Sequence, residues 1–302
     1  MSFGEQSFGV LSFGELPLPW PFEREYMQLA LLAGVVVGVA APLIGVFLVQ
    51  RRMSLMGDGI GHLAFAGVAA GLLLEVWPVW TALVVAVVGA LTVEWLRSRR
   101  RAPGDLALAL VFYGGIATAV VLNSRAGSGS VNVLPYLFGS ILTVDADDVR
   151  VVVVLGAVIV TTIALTWRAM FAIVVDEETA RVAGLPVDTL NAILAVLTAV
   201  TVVAAMRVVG VLLIAALMVL PVATSRLVAP SFRATVLGAV AVGVVSVVAG
   251  LVAAREWDLA PGGSIVLAAV ACFAVTATFS RWLRPSRGPV ADAESGLLST
   301  SG

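Results

Sequence analysis

Met27-Gln28-Leu29-Ala30-Leu31-Leu32-Ala33-Gly34-Val35-Val36-Val37-Gly38-Val39-Ala40-Ala41-Pro42-Leu43-Ile44-Gly45-Val46-Phe47-Leu48-Val49 runs for 23 residues without a charge. A helix needs about 20 such residues to cross the hydrocarbon of a bilayer. Outward from this run, eight more apolar stretches follow, at about 59–76, 79–96, 105–123, 149–171, 189–206, 208–229, 232–254 and 262–282. The sixth and seventh are parted only near Arg207, so eight spans with a re-entrant piece is the other reading. The chain of 302 residues is 60% hydrophobic and 12% charged. A soluble domain carries about 25% charge, and its core could not absorb this much apolar surface. The expected fold is therefore all-α, a polytopic transmembrane bundle of 8–9 helices.

Charge sets the expected orientation. All 18 basic residues are arginine, because the chain has no lysine. Starting outside and alternating, 13 arginines fall on the inner side, including Arg51, Arg52 and the cluster at Arg97, Arg99, Arg100 and Arg101. Five fall outside: Arg24, Arg125, Arg150, Arg207 and Arg255. That asymmetry predicts an external N-terminus and a cytoplasmic C-terminus. Residues 1–26 read as an extracytoplasmic or interfacial tail with an imperfect Ser-Phe-Gly repeat and no cleavable signal. Residues 27–284 form the membrane domain, and 285–302 a disordered cytoplasmic tail. The lone Cys272 excludes an internal disulfide. Glycines four apart (Gly34 and Gly38, Gly57 and Gly61, Gly67 and Gly71) predict close helix contacts.

Four stretches could do chemistry. In Gly57-Asp58-Gly59-Ile60-Gly61-His62, Asp58 and the only histidine lie four residues apart, on one face of a helix. Ionisable groups at membrane depth usually face a cavity or pathway. A carboxylate and an imidazole are competent ligands for zinc or manganese. The plainer reading is a hydrogen bond between the two, or from either to a neighbouring backbone carbonyl. Asp176-Glu177-Glu178-Thr179-Ala180-Arg181-Val182-Ala183-Gly184-Leu185-Pro186 reads as a short inner helix with a turn stop, suited to docking a soluble partner or serving as a simple connector. Asn132-Val133-Leu134-Pro135-Tyr136-Leu137-Phe138-Gly139-Ser140 predicts a short outer or re-entrant helix. Asp145, Asp147 and Asp148 are placed to cap the helix that follows. Pro221 lies inside an apolar run and should kink it. No phosphate-cradling loop is present, so any ATP must be bound by another chain.

Together these stretches resemble the zinc/manganese permease family of bacterial ABC importers. The residues concerned are Arg51-Arg52-Met53-Ser54 with Gly57-Asp58 and His62, then Gly67-Val68-Ala69 and Gly71, and Tyr136-Leu137-Phe138-Gly139. They continue with Gly184, Val209-Gly210 through Leu220-Pro221 with Ala223-Thr224, and Pro261-Gly262-Gly263, covering about residues 20–284 in order. The first ~20 residues exceed the family's usual start, and the histidine-rich loops of many members are lacking. The resemblance implies a homodimeric permease of the bacterial plasma membrane that is not itself an enzyme. It would pair with two cytoplasmic ATP-binding subunits, accept zinc or manganese from an extracytoplasmic metal-binding protein, hold no resident cofactor and bind no nucleic acid. It maps Asp58 and His62 onto the metal pathway, and Asp176, Glu177, Glu178, Ala180, Gly184 and Leu185 onto the ATPase-coupling segment. Tyr136, Gly139 and Pro221 would serve gating and packing. An ATP-independent carrier or channel would use the same Asp58–His62 pair without needing the inner segment. An intramembrane metal hydrolase would need a third ligand and a base, which one histidine makes a poor fit.

Overall fold

The first apolar run becomes helix α1 (Glu25–Gln50), two residues longer at its N-terminus than the tail boundary expected at residue 26. A computed structural model describes residues 22–98, 104–125, 134–140, 144–211 and 213–283. Most of both expected tails and the arginines at 99–101 lie outside the described residues. The helices that follow are α2 (Met56–Leu73), α3 (Pro78–Ser98), α4 (Gly104–Arg125), α5 (Leu134–Phe138) and α6 (Ala146–Val175). Then come α7 (Glu177–Val182), α8 (Val187–Ala205), α9 (Ile214–Arg226), α10 (Phe232–Glu256) and α11 (Pro261–Leu283). Among the described residues there is no strand.

Eight of these helices are long and apolar enough to span a bilayer. The expected run at 208–229 is not a continuous span. It breaks at a turn over 206–211, and the 13-residue α9, which is about 20 Å long, begins only at Ile214. Among the described residues the count is therefore eight full spans plus this shorter helix. Helices α1 and α8 are the most enclosed, whereas α4, α6 and α11 turn most of their apolar surface outward. Lipid can solvate such surface, so Leu110, Leu237 and Leu267 are exposed without penalty.

Each glycine pair opens α1 or α2 to a different neighbour. A Cβ on Gly34 or Gly38 would meet Val247 or the backbone at Gly243 and Val244 of α10. On Gly57 or Gly61 it would press on Met218 of α9 or the Val211 carbonyl, and on Gly67 or Gly71 on the start of α3. Without side chains at these points the helices pack backbone to backbone, gaining the dispersion that binds helices together in lipid.

The break before α9 is built by two non-helical segments crossing. The Val211 N–H donates to the Tyr136 carbonyl at 2.9 Å, and the Ser140 N–H to the Arg207 carbonyl at 3.3 Å. Gly139 and Gly210 sit at φ 75° and 90°. A Cβ on Gly139 would strike the Val208 carbonyl, and one on Gly210 the Leu137 carbonyl. Glycine is thus required at both positions, by conformation and by space. Val208, Val209 and Val211 are at most 1% exposed. Irregular backbone survives at membrane depth only when sealed by protein in this way. Pro221 is buried within α9 and, lacking an N–H, leaves the Leu217 carbonyl outside the helix ladder.

Candidate functional site

Helix α2 starts two residues before Asp58 and six before His62. Asp58 is thus about 3 Å and His62 about 9 Å along the axis from its first turn. His62 Nε2 lies 3.9 Å from Asp58 Oδ1, beyond hydrogen-bond reach. The two side chains therefore share no direct hydrogen bond. Two ligands at about 2.1 Å from a tetrahedral ion stand about 3.4 Å apart, so a shift of about half an ångström would let both atoms hold one cation. The side chains are 37% and 16% exposed, on a face that the chain leaves partly open.

Helix α4 holds that face in place. The Phe112 ring meets the His62 ring edge-on at 4.6 Å between centroids. One turn on, Gly115 lies so close to α2 that a Cβ would sit 3.0 Å from the Leu63 nitrogen and 3.1 Å from the His62 carbonyl carbon. Neither Phe112 nor Gly115 stood out in the sequence, because their role arises only from the α2–α4 contact. Among the described residues no group of three or more His, Cys, Asp and Glu side chains is placed to hold a metal.

The inner segment folds as expected. Asp176 caps α7, accepting from the Glu178 and Thr179 N–H groups at 2.9 and 3.1 Å and from the Thr179 hydroxyl at 2.6 Å. The Thr179 hydroxyl, then its N–H, hold the Asp176 carboxyl below the usual carboxylate range. The cap is therefore complete at neutral pH and is lost only as pH falls through that lowered value. Ala180 is 4% exposed and, with Leu185, seats α7 on the body, while Gly184 at φ 84° ends it. Glu178 and Val182 face outward, Val182 at 89% exposure. An exposed apolar tip on a polar loop suits contact with another protein.

Glu177 turns inward. Its Oε2 accepts from Arg51 Nη2 at 2.6 Å, and Arg51 Nη1 donates to Asn191 of α8 at 2.5 Å. Arg97 pairs with Glu94 within α3, and Arg181 pairs with Asp188. Glu177, Asn191, Arg97, Glu94, Arg181 and Asp188 line a cavity of about 560 Å³ among α3, α7 and α8. Arg51 caps the C-terminus of α1, and the tight turn after it, with Arg52 at φ 59°, leads into α2. It thus joins the α7 segment to the helix that presents Asp58 and His62. The sequence marked Arg51 only as an interfacial anchor.

At the opposite end, Asp145 caps α6 through the Asp148 N–H at 2.9 Å, and Asp147 pairs with Arg150 at 2.7 Å. Asp148 departs from its expected capping role. It is 3% exposed, and its Oδ2 accepts from Nε and Nη2 of Arg207 at 2.9 and 2.5 Å. Arg207 also lies over the Tyr136 ring at 5.1 Å. Tyr136 and Gly139 thus belong to this crossing, which meets α2 where Val211 lies against Gly61.

The sequence model of the ABC 3 transport family matches residues 23–280, most of the chain. The chain belongs to this family. As a member of the ABC 3 transport family it is a multi-pass membrane permease of the bacterial inner membrane. It is 30% identical, over 82% of its length and 95% of the relative's, to the high-affinity zinc uptake system membrane protein ZnuB of Haemophilus influenzae. It is 31% identical, over 84% and 87%, to the manganese transport system membrane protein MntC of Halalkalibacterium halodurans. Its fold is similar to that of PsaBC from Streptococcus pneumoniae in complex with Fab. That match has a TM-score of 0.76 and 30% identity, covering 84% of this chain and 91% of the other.

Proposed function

We propose that this ABC 3 family permease forms the membrane path of an ATP-driven importer for zinc or manganese, with Asp58 and His62 as transient ligands. The observation that supports this most is the unbonded Asp58–His62 pair, 3.9 Å apart on a partly open face of α2. An ionisable pair costs too much against lipid to stay uncovered, so a second copy of the chain is the fitting cover. Two-fold pairing would bring two aspartates and two histidines together, enough for a tetrahedral ion. The N-terminus would lie outside, the Arg207 crossing would face an extracytoplasmic metal-binding protein, and α7 would dock a cytoplasmic ATP-binding subunit on each copy.

Reconstitution tests the reading. Vesicles containing the permease and its ATPase subunit should take up zinc or manganese only with ATP. Uptake that persists at full rate without the ATPase would favour the simple carrier and end the importer reading.

The same reading assigns Arg51 and Glu177 a coupling role. Glu177→Gln and Arg51→Gln should each slow uptake about tenfold while ATP hydrolysis continues, and the double variant should lose far less than the sum of the singles. The Arg51 side chain is 7% and the Glu177 side chain 36% exposed, so thermal unfolding of each variant is measured beside uptake to separate lost coupling from lost folding. Unchanged uptake per ATP in both single variants would reduce the pair to a structural tie.

A further inference from the structure

Two arginines on separate helices converge on one cavity that the transport reading does not use. The cavity, about 360 Å³, opens between α6 and α10 and is lined by Trp167, Arg168, Phe171, Ser231, Phe232 and Arg233. Its floor is aromatic. Phe232 packs against Trp167 and Phe171 at 5.6 and 4.9 Å between centroids, with Phe47 of α1 beneath at 5.7 Å. Arg168 and Arg233 are exposed, and neither has an ion-pair partner among the described residues. The other arginines that line cavities at this end, Arg51, Arg97 and Arg181, are neutralised by Glu177, Glu94 and Asp188, and only Arg52 is not. The described lining holds no carboxylate.

Depth identifies what would fill it. Arg168 lies 22 residues along α6 from Ala146, about 33 Å, which matches a hydrocarbon thickness of about 30 Å. Arg233 is in the first turn of α10, where that span begins. Both guanidinium groups therefore sit at one edge of the hydrocarbon, at headgroup level, with Trp167 where interfacial tryptophans gather. Guanidinium groups match phosphate geometry, and the aromatic floor suits the first carbons of an acyl chain.

We infer that this cleft binds the phosphodiester of an anionic phospholipid. Native mass spectrometry of the detergent-solubilised permease complex tests it, after incubation with phosphatidylglycerol, with phosphatidylethanolamine or with inorganic phosphate. The expected result is retention of phosphatidylglycerol well above phosphatidylethanolamine. That retention should fall about fivefold with Arg168→Gln or Arg233→Gln and about 25-fold with both. Arg168→Lys, which keeps the charge, should retain most of it, and the variants' unchanged thermal unfolding would show that the fold is intact. Equal retention of the two lipids, or retention untouched by the double variant, overturns the inference. So does phosphate binding without lipid preference, or loss of the ATPase subunit from the double variant with lipid retention unchanged, which would assign the arginines to a protein partner.

Discussion

Asp58→Ala and His62→Ala should each abolish ATP-dependent metal uptake while the permease still reaches the membrane in normal amount. The two consequences of each substitution differ in sign, and this makes the test clean. In the proposed two-fold site each substitution removes two of the four ligands, which should cost more than the roughly 10- to 100-fold seen when only a supporting outer-shell group is lost. The effect on insertion runs the other way. A charged residue at membrane depth costs about 2.5–3.5 kcal/mol on insertion scales, so alanine at Asp58 makes α2 easier to insert. The Asp58 side chain is 37% exposed and loses little packing, whereas the His62 ring, 16% exposed, gives up its contact with Phe112. Normal membrane amount and thermal unfolding of both variants separate lost uptake from lost folding. Measured as zinc or manganese entry into reconstituted vesicles, normal rates in both variants would remove the pair from the pathway. Asp58→Asn sharpens the comparison, because it keeps the shape and removes only the charge that a cation needs.

That pair was legible from sequence because a helix brings residues four apart onto one face, whatever the tertiary fold does. Span positions were legible for a similar reason. Hydropathy reports burial in lipid, and eight runs match helices to within four residues at either end, the largest difference falling at the C-terminal end of α6. Where hydropathy failed is instructive. The stretch from Val208 to Leu220 is apolar throughout, yet its backbone turns at Gly210. Composition cannot separate a helix from a turn when both are equally buried, and only the crossing with Tyr136–Ser140 decides it. Through-space partners were equally hidden. Phe112 and Gly115 matter because α4 lies on α2, and Arg51 meets Glu177 across 126 positions of sequence. The inner helix α7, by contrast, is closed by its own local signals, the Asp176 cap and the Gly184 turn, so it was readable where it stood.

Arg207 was the least legible residue, and it yields the largest expected loss of stability. The sequence placed it among five outward arginines; the structure buries it against Asp148, 59 positions earlier, with side chains 17% and 3% exposed. Asp148→Ala should destabilise the protein by about 3–5 kcal/mol, because it removes the carboxylate that accepts twice from Arg207 in a buried crossing. The midpoint of thermal unfolding in detergent should drop on the order of 10 °C. Arg207→Ala should cost less, for two reasons. Asp148 lies in the first turn of α6, where the helix dipole favours its charge, and a stranded carboxyl can take up a proton, whereas a guanidinium cannot shed one. The Ser140 N–H bond to the residue 207 carbonyl survives either change, so the crossing should loosen without coming apart. Replacing both partners with apolar residues of similar size should recover much of the loss, because neither charge is then left without its partner. An Asp148→Ala midpoint within a degree or two of the parent, or one above that of Arg207→Ala, would show that the pair is solvated in the membrane and that the crossing is held by its backbone alone.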